Sequence, residues 1–260
     1  MSAVATNADD IKPHQSVSSK LLTVIEAFSA SEPALTLSEI SRKTSLPLAT
    51  AYRFVAEWVA WGGLVRRSDG KYIIGTRLWE VGVQSPNLQI LRNAAVPFLE
   101  DLVSETKQTA QLAILEGFDA LYVEKIAARN SSVTISRVGS RLPLHATGVG
   151  LIFLAHANAD YVESYLSRSL KKFTPQTVSD PDSIRQRLNI IKRMGLVRVE
   201  EELHSEILSI AAPVRDRSGK TIAAISAVVP ISYKDDRSLE LMVRAAAVGT
   251  SRLLGFRGTK

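Results

Sequence analysis

Residues Thr36–Ile74 read TLSEISRKTSLPLATAYRFVAEWVAWGGLVRRSDGKYII, and the rest of the fold is read outward from them. Thr36 and Glu39 have capping-box spacing: the hydroxyl accepts from the third helical amide and the carboxylate reaches back. The helix they open places Leu37 and Ile40 inward and Arg42 and Lys43 outward. Ser45-Leu46-Pro47 breaks it, because the residue before a proline avoids the α region and proline suits a first helical turn. A second helix is predicted from about Pro47 to Ala60, closed by Gly62-Gly63. Two helices on so short a turn form a helix-turn-helix, whose second helix fits a DNA major groove.

The residues after it extend the motif. Leu64–Arg67 and Lys71–Ile74 flank Ser68-Asp69-Gly70, a strong hairpin signal. Arg66, Arg67 and Lys71 on its flanks suit phosphate or minor-groove contact. On the second helix, Leu48, Ala49, Thr50, Tyr52 and Arg53 lie near the N-terminus, where side chains reach base edges. Arg53 suits bidentate pairing with guanine. Arg42 and Lys43 are candidates for backbone phosphate. Phe54, Val55, Trp58 and Val59 follow core spacing.

Charge supports this placement locally rather than in bulk. The 260-residue chain carries a formal net charge of +6. Residues 1–85 account for only +1 of it and residues 86–260 for +5, yet Thr36–Arg77 alone holds seven basic and three acidic residues. That local surplus is the electrostatic footprint a polyanion needs. Hydrophobic residues make up 45% of the chain, enough for packed cores. There is no cysteine, which excludes a disulfide framework and a thiolate zinc site. The polar opening residues do not resemble a signal peptide, and no uncharged apolar run nears the ~18 residues of a spanning helix. A cytoplasmic protein is expected.

Four regions are expected: a mobile arm over 1–16, a DNA-binding domain over 17–84, a linker helix over 85–106, and a second domain over 107–260. Val17–Ala30 reads as a supporting helix with Leu21, Leu22, Ile25 and Phe28 inward. Thr76–Val83 and Asn87–Thr106 read as further helices. Beyond them, Ala110–Leu115, Ala120–Ile126, Ser132–Val138, Leu196–Val199, Ile207–Val214 and Thr221–Val229 are candidate strands. Thr147–Ala157, Asp160–Arg168, Pro181–Met194 and Asp235–Leu254 are candidate helices. The pattern is α+β with a mostly antiparallel sheet.

The order of these pieces resembles the IclR family of bacterial transcription regulators, over nearly the whole chain after the arm. The resemblance rests on SEISRKTSLPLATAYRFVAEWVAWGGLVRRSDGKYIIG in the head, RVGSRLPLHATGVG (Arg137–Gly150) and SIAAPVRDRSGKTIAAISAVVP (Ser209–Pro230). The family usually has Gly and Ser where this chain has Ser45 and Ala49. It often has Gly-Lys at Gly150-Leu151, Gly at Glu206, Arg at Leu208 and Cys at Ser209. The resemblance implies a C-terminal GAF-like effector domain that binds a small molecule, and homodimers through the heads, often paired into tetramers. By family position, the effector pocket is walled by Leu142, Leu144, Thr147, Gly148, Val149, Ser209, Ser226 and Val228.

Physical reading of those positions points the same way. Gly148 and Gly150 permit close approach at a helix start, whose free amides favour a carboxylate. Ser209 and Ser226 offer hydroxyls on apolar strands, and no Arg or Lys clearly points inward. The expected partners are therefore a double-stranded DNA operator and a small organic or aromatic acid. Neither a metal nor a cofactor is expected: His14, His145, His156 and His204 lack zinc spacing, and Gly148-Val149-Gly150 is an incomplete dinucleotide fingerprint. Glu200–Glu202 reads as a solvated charge run. No nucleophile-elbow pattern supports catalysis. A constitutive DNA binder whose second domain only oligomerises is the alternative, marked by a cavity filled by Leu151 and Val228.

Overall fold

The structure, a computed structural model, describes residues 16–29, 31–129, 131 and 136–258. The expected arm, Ala30, most of the candidate strand Ser132–Val138, and His14 lie outside the described residues. The chain divides into two compact units meeting at Ser85 and Pro86.

The first unit contains α1 (Val17–Glu26), α2 (Leu37–Thr44), α3 (Leu48–Trp61) and α4 (Thr76–Gly82), with short strands β1 (Ala34–Leu35), β2 (Leu64–Arg66) and β3 (Tyr72–Ile74). The capping box forms: Glu39 N donates to Thr36 Oγ1 at 3.3 Å and Thr36 N to Glu39 Oε2 at 2.7 Å. Thr36 N and then Thr36 Oγ1, both donating to Glu39 Oε2, hold that carboxyl below its usual pKa. Ser45 then turns the chain with φ +55 in the left-handed region, where a side chain costs of order 1 kcal/mol. Ser41 Oγ donates to Leu46 O at 2.6 Å, tying the turn to α2.

Gly62 ends α3 with φ +83, a C-terminal residue conformation that glycine adopts without cost. The wing is three-stranded rather than two-stranded, in the order β1-β3-β2, because Leu35 pairs opposite Tyr72. Val24, Leu35, Ile40, Leu46, Ala51, Phe54, Val55, Leu64 and Tyr72 form the core of this unit. Three expectations are corrected. Helix α1 ends at Glu26, its buried residue is Val24, and Leu22 is exposed. Val59 is exposed too, because it falls on the outer side of α3. Trp58 is only half-buried and donates its Nε1–H to Leu21 O at 2.8 Å.

The second unit opens with α5 (Pro86–Thr106) and then builds one antiparallel sheet. Its strands are β4 (Thr109–Glu116), β5 (Asp119–Ala127), β6 (Arg141–Pro143), β7 (Val197–Glu200), β8 (Ile207–Arg215) and β9 (Thr221–Pro230), in the order β6-β5-β4-β9-β8-β7. The helices are α6 (Gly148–His156), α7 (Ala159–Leu166), α8 (Pro181–Met194) and α9 (Ser238–Leu253). Strand β6 was not foreseen; Leu142 pairs with Ala120 at the sheet edge.

Two cores cover the two faces of the sheet. One joins Leu91, Ala95, Leu99 and Leu102 of α5 and Leu239, Val243 and Ala247 of α9 to Leu112, Ile210 and Ile225. The α5 stripe is therefore part of this unit's core. The other joins α6 and Ile184, Leu188 and Ile191 of α8 to Ala113, Ala211 and Ala224. Helix α6 is buried along Gly148–Ala155, which is why its sequence is apolar on every side. A Cβ on Gly150 would lie 2.3 Å from Leu144 Cα and 2.4 Å from Leu144 O. Only glycine lets α6 start that close to the preceding chain.

Candidate nucleic-acid interface and ligand cavity

Helix α3 presents its N-terminal half to solvent. Leu48 is 51% and Tyr52 60% exposed; Ala49 and Arg53 are exposed and Thr50 is half-buried. Their neighbours Ala51, Phe54 and Val55 are buried, so the helical period separates a packed face from an open one. The Arg53 guanidinium lies 5.6 Å from the Phe54 ring centroid, with no carboxylate partner among the described residues.

The other cations are held more closely. Lys43 pairs with Glu32, and Arg67 lies 3.4 Å from Asp69. Both pairs are exposed, where such contacts contribute about 0–1 kcal/mol and yield readily to phosphate. Arg66 sits 5.9 Å over the Tyr72 ring. The wing turn is closed by Gly70 N donating to Arg67 O at 3.0 Å and Lys71 N to Asp69 Oδ1 at 3.1 Å. Arg42 occupies the exposed last turn of α2.

In the second unit a small cavity of about 40 Å³ lies between the sheet and the start of α6. Leu142, Thr147, Gly148, Ser209 and Val228 line it. Leu144, Val149 and Ser226 do not. Leu144 and Val149 turn into the α6 core, and the Ser226 hydroxyl lies 3.5 Å from Gln111 Oε1. Both serines lie on the same sheet face: Ser209 stands opposite Val228, and Ser226, one pair further along that face, stands opposite Gln111 and Ala211 and spends its hydroxyl on Gln111. Leu151 is packed with the α6 core rather than in the cavity.

Several lining residues were missed by the sequence reading: Gln111, Tyr122, Ser136, Glu202 and His204. Gln111 Nε2 donates to Ser136 Oγ at 2.6 Å, and Lys125 Nζ to Ser136 O at 2.8 Å. Burial pushes the Tyr122 phenol well above its usual pKa, so it stays neutral. The hydroxyls of Tyr122 and Ser209 have no hydrogen-bond partner among the described residues. A Cβ on Gly148 would come within 3.0 Å of Ser209 Oγ, so that serine lies directly against the first turn of α6. Thr147 Oγ1 accepts from Gly150 N at 3.2 Å and donates to Pro143 O at 2.8 Å.

Glu202 corrects the expectation of a solvated run. It is 5% exposed, and its Oε1 accepts from Arg187 Nη1 at 2.6 Å. Arg187 also donates to Arg198 O at 2.8 Å. Thr174 and Thr177 hydroxyls donate to the carbonyls of Glu201 and Glu202. His145 is committed as well. The Tyr165 hydroxyl accepts from the amides of Leu144 and His145, so its own hydrogen goes to His145 Nδ1 at 2.8 Å. Nε2 then carries the ring hydrogen and donates to Lys171 O at 2.9 Å. Among the described residues no group of His, Asp or Glu is placed to hold a metal ion, and no helix is long and apolar enough to cross a membrane.

An exposed recognition helix with a basic wing, followed by a sheet domain that holds a polar-lined cavity, defines a ligand-responsive DNA-binding regulator. Residues 19–68 match the IclR helix-turn-helix domain and residues 86–252 the bacterial transcriptional regulator IclR C-terminal domain, so the chain belongs to the IclR family. The Pca regulon regulatory protein of Pseudomonas putida is 31% identical over 235 residues, covering 89% of this chain and 80% of that one. The transcriptional regulator KdgR of Dickeya chrysanthemi is 28% identical over 257 residues, covering 96% and 84%. Among solved structures, an IclR homologue from Microbacterium hydrocarbonoxydans complexed with 4-hydroxybenzoate is 36% identical. It superposes with a TM-score of 0.88, covering 92% of this chain and 99% of that one.

Proposed function

We propose that this regulator answers to a small, partly apolar organic acid of the aromatic class, bound in the cavity at the start of α6. The observation that carries the reading is the pair of hydroxyls, Tyr122 and Ser209, that no other described side chain bonds, in a cavity whose walls mix the apolar Leu142, Ile207 and Val228 with the already bonded Gln111, Ser136 and Glu202. Few convergent polar groups in an apolar pocket are what a small ligand needs for orientation. The Gly148 amide, at a helix N-terminus, adds partial positive charge for a carboxylate. Among the described residues no Lys or Arg side chain lines the cavity, which favours a monoanion over a dianion. The 4-hydroxybenzoate held by the Microbacterium relative fits this class.

On this reading α3 and the wing contact the operator. Leu48, Ala49, Thr50, Tyr52 and Arg53 face base edges, while Arg42, Lys43, Arg66, Arg67 and Lys71 grip the backbone. The chain acts by binding rather than catalysis, in the cytoplasm, as a homodimer or tetramer on a pseudo-palindromic site. Residues 17–84 serve DNA binding, 85–106 the connection, and 107–260 effector binding and assembly. Occupancy of the cavity shifts the balance between two head arrangements by the difference in ligand affinity for them.

The test is a thermal shift with 4-hydroxybenzoate and a panel of aromatic acids on wild type, Tyr122→Phe and Ser209→Val. At least one acid is expected to raise the wild-type midpoint. Each variant should weaken its affinity roughly tenfold, since one hydrogen bond to a charged or polar group is worth about 1–2 kcal/mol. A panel that leaves the midpoint unmoved, or variants that bind as wild type does, would contradict the assignment.

A further inference from the structure

We propose that the effector unit carries a second, sequence-independent DNA-contacting surface, formed by Arg217 and Lys220 of the β8–β9 turn with Arg252 and Arg257 at the end of α9. The proposal rests on the DNA-binding role of the head and adds a contact that the head does not make.

Topology brings these residues to one end of the unit. Thr109 at the start of β4 pairs with Val228 near the end of β9. The C-terminus of α5, just before β4, and the N-terminus of α9, just after β9, therefore share one end. Pro86, the C-terminus of α9 and the β8–β9 turn lie at the other. Contacts there are close. A Cβ on Gly255 would be 3.3 Å from Arg217 Cβ, and one on Gly219 3.7 Å from the Phe256 ring. Arg217, Ser218 and Gly219 form an open cup with Gly255, Phe256, Arg257 and Gly258.

Cations outnumber acids around the turn. Asp216 is the acid of the turn, and its Oδ1 accepts from Ser218 N, Ser218 Oγ and Lys220 N. Those bonds, the Ser218 hydroxyl first, keep its pKa low. Among the described residues Arg217, Lys220, Arg252 and Arg257 make no ion pair, and all four are exposed. Arg215, beneath them, stacks 6.0 Å from the Phe256 ring and approaches His156 Nε2 at 3.2 Å. The surplus of +5 in residues 86–260 thus has a local concentration.

The chemistry suits phosphodiester backbone. The cup is shallow and has no enclosed recess for a base, so its arginines offer charge and hydrogen bonds without sequence information. An acidic protein segment would be met by the same cations. What favours DNA is that the head of the same chain already binds this polyanion, so that a held duplex is present at high effective concentration.

The experiment measures full-chain affinity by fluorescence anisotropy for mixed-sequence duplexes of about 60 and about 12 base pairs across a salt series. Wild type is compared with R217Q/R257Q and with Arg53→Ala. Loss of two phosphate contacts should reduce the log–log salt slope on the long duplex by about 2 and weaken binding several-fold or more at low salt. The short duplex should be bound unchanged. The glutamines keep the Cβ contacts, and an unchanged thermal midpoint confirms folding; a K220Q/R252Q pair repeats the test if the first pair lowers it. If Arg53→Ala weakens binding and neither glutamine pair alters the long-duplex slope, the proposal falls and the head reading stands. If no duplex is retained by wild type, both fall. Polyglutamate binding that depends on these arginines, with duplex binding unaffected, would assign the patch to an acidic protein and overturn the proposal.

Discussion

The two units solve recognition in opposite ways. The DNA face proposed for the head comes from one contiguous stretch, Arg42–Lys71, on two helices and a hairpin whose candidate side chains are exposed or half-buried. The effector unit builds its cavity from residues as far apart as Gln111 and Val228, drawn from β4, β5, β6, α6, β7, the loop before β8, β8 and β9. A surface for a long, stiff ligand needs only local periodicity and caps. An enclosure for a small one needs a sheet, a helix buried on every side and strand registers correct to a single residue. Substitutions should therefore act on DNA binding locally in the head and on the whole fold in the effector unit.

The sharpest way to break that contrast is Gly150→Ala. Its added Cβ would meet Leu144 backbone at 2.3–2.4 Å, and backbone cannot yield as a side-chain tip does. A loss of about 3 kcal/mol or more is expected, read by denaturant unfolding of the second unit. Stability near wild type would mean that α6 does not start against Leu144.

Next comes Arg187→Leu. It strands the Glu202 carboxylate, whose side chain is 6% exposed, beside the cavity. Removing one partner of a buried pair costs about 3–5 kcal/mol; Arg187 is itself 23% exposed, so the low end is expected. The double variant with Glu202→Gln should recover part of the loss. Thermal unfolding of the three proteins checks this, and an additive double variant would deny the coupling.

In the head the corresponding truncation, Arg53→Ala, should leave unfolding within about 0.5 kcal/mol of wild type. It should relax discrimination at one base position by about 1–3 kcal/mol. Selection of operator sequences by each protein reads this directly. Equal loss on every sequence would make Arg53 a phosphate contact instead.

The smallest expected effects are gains. Ser45 and Glu206 hold φ +55 and +65, where glycine is unstrained. Ser45→Gly and Glu206→Gly should each stabilise by up to about 1 kcal/mol, one in each unit. A stabilisation confined to one unit's unfolding transition would also show that the two units unfold separately.

The same contrast governs how much could be read from the sequence. Thr36, Glu39, Pro47, Gly62 and the Asp69-Gly70 turn are local signals, and they marked α2, α3 and the wing to within a residue or two. The added strand β1 escaped because a two-residue edge has no period to detect. In the effector unit most elements were legible, β6 apart, but not the side-chain partners: Ser209 and Ser226 looked equivalent, and only Ser209 lines the cavity while Ser226 bonds Gln111. Gln111, Tyr122 and Ser136 carried no motif at all; sheet pairing alone brings them to the cavity. Glu202 looked solvated because a Glu-Glu-Glu run usually is, and its partner Arg187 lies fifteen residues away on α8.

Amide hydrogen exchange of the full chain, with and without a duplex recovered by operator selection, tests the central claim most directly. The account predicts that DNA slows exchange across the α2–α3 turn, the first half of α3 and the wing around Arg66–Lys71, while Gly148 and Ser209 are unaffected by direct contact. Slowed exchange around the cavity with none in α3 would contradict it.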